Sequence, residues 1–245
     1  MRSTPFSSGS GARYAKPIVK GEGPRRGRMD LDPTIAFDTE AGVYRPAEDT
    51  FLLLESIALE TGERFLEVGT GSGLVALHAA RRNRACATDA NRDAVRLTRA
   101  NARRNRLLLE VVVTNLLTGI RGPFDVVAFN PPYLPGRPMD DLDRAWQGGL
   151  QGSDVSMQFL DDLDRVLSPS GRAYLLLSGL NKEARRAAET RFRTRVVAAR
   201  RLFFEELEVL ELRRRDPSRA SPTSRSSAQS RVSSGPQGLG PGSSR

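Results

Sequence analysis

The stretch "LEVGTGSG", residues 66–73, joins a short apolar run to a helical pattern, and its glycines determine the fold that we predict for the chain. Gly69, Gly71 and Gly73 allow the backbone to turn tightly and to approach a ligand closely. The first N–H groups of the following helix have no partners inside the helix, so they face that ligand. The spacing is G-x-G-x-G, with Leu74 where the dinucleotide pattern has its third glycine. The loop therefore indicates a ligand site without identifying the ligand.

Strand and helix patterns alternate around this loop. The predicted strands are residues 64–69, 85–90, 107–114, 124–129 and 172–178, with two more within 195–213. The predicted helices are residues 48–60, 74–83, 92–105, 153–167 and 181–192. Continuous apolar strands that alternate with helices predict an open, mostly parallel α/β sheet with helices on both faces.

Asp89 stands at the end of the second predicted strand, 20 residues after Gly69. A carboxylate at this place can accept hydrogen bonds from both hydroxyls of a ribose. The alternative is that Asp89 caps the helix that follows it. The spacing favours the first interpretation, and the loop together with this acid predicts an adenosine-bearing ligand.

The net charge of +9 lies in the two ends of the chain. Residues 1–29 carry seven Lys/Arg and one Glu, residues 216–245 carry four Arg and one Asp, and residues 30–215 are neutral. We therefore predict a single domain over 30–215, between two disordered tails rich in Ser, Gly, Pro and Arg. Solvated tails are the simpler interpretation, and weak contact with RNA or the ribosome is the alternative.

The composition also limits which cellular compartment and which bound metals are expected. No apolar run is long enough for a membrane span, and the N-terminus lacks the apolar region of a secretory signal. Cys86 is the one cysteine and His78 the one histidine, so no metal cluster is expected. We predict a cytoplasmic protein in which Cys86 is a small buried apolar residue and His78 is a structural or a surface residue.

The fourth predicted strand ends abruptly in Asn130-Pro131-Pro132-Tyr133. Two prolines can simply terminate a strand, because they cannot donate to the ladder. The functional interpretation is more specific: this strand ends at the topological switch point, beside the expected ligand. The Asn130 side-chain carbonyl and a proline backbone carbonyl can hold a planar –NH2 group, on which Tyr133 can stack. Positioning would then supply most of the catalysis, and no general base is evident.

These motifs resemble those of S-adenosylmethionine-dependent methyltransferases of the seven-stranded class, over residues 43–213. The resemblance implies a class I, Rossmann-like fold with S-adenosylmethionine as the cofactor. It places Glu67 near the methionine end of the cofactor, and Asn115 and Leu116 at the adenine edge. An Asp is usual where Asn115 stands, but an amide can also pair with the adenine amino group.

Four segments resemble the HemK-type glutamine N5-methyltransferases, in the short branch of eukaryotes and archaea. They are "VYRPAEDTFLLLE" (43–55), "LEVGTGSG" (66–73), "FNPPYLP" (129–135) and "AWQGGLQGSDVSMQFLDDLDRVLSPSG" (145–171). That branch modifies the glutamine of the Gly-Gly-Gln loop of class 1 release factors, and Thr50 corresponds to a cofactor contact. Arg45, where an acid is common, and Asn115 depart from the family pattern.

Adenine N6 and the glutamine amide both present a flat –NH2 group, so the tetrapeptide alone does not separate them. The neutral core and the single domain favour glutamine, because enzymes that extract a base usually need a basic face and a recognition domain. Residues 134–152 are the candidate wall of a peptide slot. Trp146 either forms part of that wall or covers the sheet. A lysine methyltransferase would need a base, and a cofactor-binding scaffold in ribosome biogenesis is the non-enzyme alternative.

The third predicted strand, residues 107–114, lies at the sheet edge in this fold class. It is apolar on both faces and nearly uncharged, which is an aggregation hazard if it is exposed. Enzymes that resemble this chain pair a small zinc-binding activator protein with this edge. We predict the same partner here, in addition to the protein substrate.

Overall fold

The computed structural model describes residues 27–132, 153–202 and 205–215 of the chain. The helices in these ranges are α1 (Glu48–Ser56), α2 (Leu74–Ala80), α3 (Arg92–Arg104), α4 (Asp154–Val166) and α5 (Lys182–Arg191). The strands are β1 (Arg64–Val68), β2 (Arg84–Asp89), β3 (Leu109–Val113), β4 (Phe124–Phe129), β5 (Leu167–Ser178), β6 (Phe192–Leu202) and β7 (Glu205–Arg214). None of the helices within these ranges has the length and apolar character that a membrane crossing requires.

The seven strands form one sheet in the order β3-β2-β1-β4-β5-β7-β6. The strands from β3 through β5 are parallel, and β7 is antiparallel to both of its neighbours. This arrangement confirms the predicted seven-stranded, mostly parallel sheet. β1 and β4 lie side by side where the strand order reverses, with Val68 paired with Phe129. Gly69 and Asn130 therefore leave the sheet next to each other, at the crevice where doubly wound folds bind their ligands.

Each face of the sheet has its own core because side chains alternate along the strands. On one face, Phe65 and Val126 pack in a cluster with α1 and α2. On the other face, Leu66 and Val127 pack in a cluster with α4 and α5. These strands are apolar on both sides because both sides are covered, as expected of a parallel sheet.

Helix α1 ends at Ser56, four residues before its predicted end. The next residues pair with the start of the described chain: Met29 N–H donates to the Ile57 carbonyl, and Leu59 N–H donates to the Gly27 carbonyl. Met29 is also buried in the core. Residues 27–29, which the predicted boundary at residue 30 assigns to the tail, therefore pair with residues 57–59 in the structure. The rest of both tails lies outside the described residues.

Candidate active site

The glycine loop runs from β1 into α2 with positive φ at all three predicted glycines. Gly73, the N-cap of α2, has a φ of +89°, which favours glycine strongly. A β-carbon at Gly73 would lie 2.7 Å from Cγ2 of Thr98, which is closer than real atoms pack. Conformation and space therefore both require glycine here, and the loop backbone stays open toward the crevice.

Glu67, near the end of β1, holds this loop in place through hydrogen bonds. Its Oε2 accepts hydrogen bonds from the Thr70 hydroxyl at 2.6 Å and from Ala76 N–H at 2.9 Å. Burial raises the pKa of Glu67 to about 8, because the charged form is poorly solvated there. The carboxyl group thus satisfies a free N–H in the first turn of α2 and holds the glycine loop against the helix.

Asp89 ends β2 and reaches the same loop. Its Oδ2 accepts from Gly71 N–H at 2.9 Å, and its Oδ1 accepts from Asn91 N–H at 2.9 Å. Burial raises the pKa of Asp89, although these N–H donors oppose the shift. The N-cap of α3 is Asn91, whose side chain accepts from Asp93 N–H, so Asp89 is not the cap of that helix. Each Asp89 oxygen keeps a second acceptor position with which a ribose hydroxyl can pair.

The first turn of α1 lies beside the glycine loop. Thr50 donates its hydroxyl hydrogen bond to Asp49 at 3.2 Å, and Asp49 is 2% exposed. Asp49 in turn accepts from the Tyr44 hydroxyl at 2.6 Å. The Tyr44 backbone carbonyl would lie 3.3 Å from a β-carbon at Gly71, so this segment closes on the loop. The sequence indicated Thr50 as a candidate but not Asp49 or Tyr44, although an acid beside the apolar run "FLLLE" was a usable signal.

The segment after β3 forms the third side of the site. Asn115 is exposed and Leu116 is half-buried. Leu116 has a φ of +49°, an uncommon conformation for a non-glycine residue. Thr114 N–H donates to the Asp89 carbonyl at 3.0 Å, which ties this segment to the end of β2. The structure therefore brings Asn115 and Leu116 to the same sheet edge as Asp89.

Arg165 of α4 holds this segment, and our sequence reasoning missed it. Its guanidinium donates to the Leu117 carbonyl at 2.7 Å and to the Ile120 carbonyl at 2.5 Å. Two backbone carbonyls on one guanidinium fix the segment more firmly than one hydrogen bond can, because the donor fork is rigid. An arginine on a helix has no local pattern that reveals such a distant partner.

The side chain of Asn130, just after β4, has an unusual feature: its Oδ1 is buried, and no hydrogen-bond donor among the described residues reaches it. An unpaired buried acceptor costs about 1–3 kcal/mol, so the position favours a ligand that brings a donor. The ring of the preceding Phe129 packs on Phe159 of α4, with 4.8 Å between the ring centroids. Pro131 is buried and Pro132 is half-buried, so the end of the strand is firmly held. Tyr133 and Trp146, which the sequence also indicated, lie outside the described residues.

Cys86 is buried, as the sequence predicted, and of the two positions expected for His78, structural or surface, the structure shows the structural one. His78 Nε2 accepts from Asp32 N–H at 3.0 Å, and its Nδ1 lies 2.7 Å from the Leu74 carbonyl. Burial lowers the pKa of His78, in agreement with a neutral ring that accepts at one nitrogen and donates at the other. Cys86 is a buried free thiol whose pKa burial raises to about 11. Within the described ranges, no group of three or more His, Cys, Asp or Glu residues could hold a metal ion.

The strand order, the glycine loop and the acid at the end of β2 together define a class I methyltransferase fold. Residues 34–204 match the family model of the methyltransferase small domain, and the chain belongs to this family. The resemblance to glutamine methyltransferases that the motifs indicated is confirmed by the relatives described next.

A Methanocaldococcus jannaschii protein assigned as a protein N5-glutamine methyltransferase is 32% identical over 177 residues, which are 69% of this chain and 90% of that protein. Methyltransferase HEMK2 of Mus musculus is 37% identical over 151 residues, covering 55% of this chain and 71% of its own length. Among solved structures, the E. cuniculi Mtq2–Trm112 complex, responsible for the methylation of the eRF1 translation termination factor, superimposes with a TM-score of 0.58. The matched chain of that complex is 28% identical in sequence, and the match covers 71% of this chain and 99% of the matched one.

Proposed function

We propose that this protein transfers a methyl group from S-adenosylmethionine to the side-chain amide nitrogen of a glutamine, in the Gly-Gly-Gln loop of a class 1 release factor. The observation that carries the proposal is the buried Oδ1 of Asn130 at the switch point, which has no hydrogen-bond partner within residues 27–132, 153–202 and 205–215. A glutamine amide brings two N–H donors and can satisfy this acceptor. The names of the relatives, which include N5-glutamine methyltransferases and an eRF1 methyltransferase catalytic subunit of Schizosaccharomyces pombe, support this substrate.

The residues around the glycine loop fit S-adenosylmethionine, whose sulfonium supplies the methyl group. Asp89 would accept from the ribose hydroxyls through its second acceptor positions, while its bonds to Gly71 and Asn91 keep it in place. Asn115, which is exposed, would pair with the adenine edge, and Leu116 would pack against the ring. Gly69 and Gly73 would allow the loop backbone to lie close to the cofactor. Glu67 and Thr50 would border its methionine end by holding the loop and the first turn of α1.

Asn130 would hold the glutamine amide in the orientation that transfer requires. Its Oδ1 accepts one amide N–H, and the Pro131 carbonyl accepts the other, so that the nitrogen faces the methyl carbon. An amide nitrogen is a weak nucleophile, and fixed positioning of this kind can lower a barrier by about 7–11 kcal/mol in well-oriented reactions. Pro132 restricts the backbone conformation where the chain leaves β4. Tyr133 is proposed to stack on the planar amide and Trp146 to border the peptide slot.

The experiment supplies labelled S-adenosylmethionine with purified release factor, DNA and RNA in separate reactions. We expect label on the release factor, none on a variant factor whose Gly-Gly-Gln glutamine is replaced by alanine, and none on nucleic acid. Asn130→Ala should lower kcat at least about 100-fold, the size of effect that loss of one positioned catalytic hydrogen-bond partner produces. Its affinity for S-adenosylmethionine should stay unchanged. Label on adenine alone would contradict the proposal and identify an N6-adenine methyltransferase.

We further propose that a small zinc-binding activator subunit pairs with β3. β3 is the edge of the sheet, and Val112 and Val113 on it are 38% and 39% exposed. Leu108, just before it, is 93% exposed. An apolar open edge of this kind favours pairing with another chain. The E. cuniculi neighbour was solved as a complex with Trm112. A partner and substrate of the translation machinery would place the protein in the cytoplasm.

Coexpression with a Trm112-type subunit should raise the soluble yield of the chain and its activity. A chain that is monodisperse and fully active when made alone would contradict the partner proposal while leaving the proposed activity intact.

A further inference from the structure

A groove of about 590 Å³ lies beside the β3 edge, away from the candidate active site. It is lined by residues from the start of β1, β2 and β4, from β3, and from the connection between β3 and β4. These residues are Arg64, Arg84, Ala85, Cys86, Glu110, Val112, Gly119, Ile120, Arg121 and Phe124.

The groove exists because no helix in the described ranges covers one face of the sheet at this edge. Ala87 of β2 and Val111 of β3 face α2 and α3, with which they form a small core cluster. Their neighbours Cys86, Glu110 and Val112 therefore point to the opposite face. The described connection between β3 and β4, residues 114–123, contains turns and no helix that would cover this face.

The charges around the groove are unbalanced. Arg64 and Arg84 stand directly opposite each other on neighbouring strands, and Arg121 joins them at the rim. Glu110 is the one acid in the lining. Like charges directly opposite each other destabilise a sheet, so a ligand with carboxylates would relieve the repulsion. Within the described residues, neither Arg84 nor Arg121 forms an ion pair.

The floor of the groove is apolar. Val112 is 38% exposed there, and the buried residues Cys86, Ile120 and Phe124 continue the surface. The Arg64 guanidinium lies over the Phe124 ring, 5.1 Å from its centroid, which fixes one positive charge at the edge of this floor. An apolar floor within an arginine rim matches a segment that presents apolar and acidic side chains together.

We propose that this groove is the second half of the partner interface: the subunit that pairs with β3 also places a segment with apolar side chains and at least two carboxylates in it. The inference rests on the partner proposed above. It is supported by the continuity of the groove with the β3 edge through Glu110 and Val112, and by charge complementarity. The two tails of the chain are poor occupants because both carry net positive charge. RNA fits less well than a peptide because the floor is apolar and Glu110 would face the phosphates.

The test uses the full-length chain and the Trm112 subunit of the E. cuniculi complex as the probe. The variant Arg84→Glu/Arg121→Glu reverses the rim charge, and Arg186→Glu/Arg193→Glu makes the same charge change at the opposite edge of the sheet. We expect the first variant to bind the subunit at least about tenfold more weakly, in the range measured for charge complementarity at interfaces. The second variant should bind as the unaltered chain does. The milder Arg84→Gln/Arg121→Gln should give an intermediate loss.

Binding of S-adenosylmethionine and the unfolding temperature, measured on each variant without the subunit, separate interface effects from misfolding. If Arg84→Glu/Arg121→Glu and Arg186→Glu/Arg193→Glu bound the subunit with equal affinity, the proposal would be overturned. Failure of the subunit to bind the unaltered chain would also overturn it. If Arg84→Glu/Arg121→Glu no longer bound a labelled RNA but bound the subunit as the unaltered chain does, the groove would be assigned to nucleic acid instead. Failure of release-factor methylation would contradict the proposed activity and would leave the binding result unaffected.

Discussion

At the residue scale, Gly73 and Gly62 offer a matched pair. Both have a φ near +90°, but a β-carbon at Gly62 would meet nothing within 4 Å, whereas one at Gly73 would collide with Thr98. Gly62→Ala should lower the free energy of unfolding by about 1–2 kcal/mol, the cost of a left-handed alanine. Gly73→Ala should cost more and should weaken cofactor binding. Urea unfolding of both variants measures the difference.

A second substitution checks the cause. Thr98→Ser removes Cγ2 and keeps the hydroxyl that donates to the Gly71 carbonyl. The double variant Gly73→Ala/Thr98→Ser should recover part of the loss. No recovery would mean that backbone conformation alone requires glycine at this position.

Glu67 predicts a pH dependence of stability. The pKa of this carboxyl rises from 4.5 to about 8 in the folded protein, so the folded state holds its proton more tightly than the unfolded chain does. The resulting stabilisation is complete below pH 4.5 and is lost as the pH rises toward 8. Glu67→Gln keeps an acceptor and has no charge to titrate. Its free energy of unfolding, relative to that of the unaltered chain, should therefore increase between pH 5 and pH 8 in urea titrations.

His78 contributes with the opposite sign, because burial lowers its pKa and its stabilisation is lost as the pH falls below its ordinary value. Only the difference between the unaltered chain and Glu67→Gln is therefore diagnostic. Parallel pH profiles would show that Glu67 is ionised in the folded protein.

At the element scale, the connection after β3 depends on α4. Arg165 donates to two carbonyls of this connection, just after the strained Leu116. Arg165→Lys keeps the charge but cannot span both carbonyls. We expect the lysine variant to bind S-adenosylmethionine several-fold more weakly and to lose about 1.5–3 kcal/mol of stability, the size of a hydrogen bond to a charged group. Isothermal titration and urea unfolding measure the two effects.

The neighbouring ion pair supplies the control. Asp162→Asn removes the exposed partner of Arg165, at 3.5 Å, and leaves the two carbonyl contacts in place. It should change cofactor affinity little, because exposed ion pairs contribute about 0–1 kcal/mol. Equal losses of cofactor affinity in Arg165→Lys and Asp162→Asn would show that the charge of Arg165, and not its double contact with the two carbonyls, matters.

At the scale of the whole molecule, the zero net charge of residues 30–215 is the basis for our prediction of one domain between two basic tails. We expect a chain of residues 27–215 to unfold at the same temperature as the full-length protein and to bind S-adenosylmethionine equally well. Calorimetry compares the two chains. A truncated chain that starts at residue 30 loses the pairing of Gly27 and Met29 with residues 57–59 and should be less stable. A lower unfolding temperature for 27–215 would show that the tails contribute to the fold.

The elements that the sequence predicted well are those with a local pattern. Apolar runs and helical periodicity located β1, β2, α2 and α3, and the spacing of Gly69 and Asp89 indicated the site. α1 was predicted too long because residues 57–59 bond to the distant residues 27–29, and a distant partner leaves no local pattern. Arg165 and Asp49 were missed for a similar reason: their roles depend on partners that only the fold brings close.

The sequence by itself determined the class of fold, the ligand loop and the identity of the residues at the end of β4, because each follows from spacing within a short segment. The tertiary structure decided the rest. Side-by-side pairing of β1 and β4 brings Gly69 next to Asn130, and burial separates the Asn130 Oδ1 from every donor in the described part of the chain. The face at β3 that no described helix covers likewise results from which helices pack where. Long-range packing creates these features, and no short stretch of chain contains the information for both sides of such a contact.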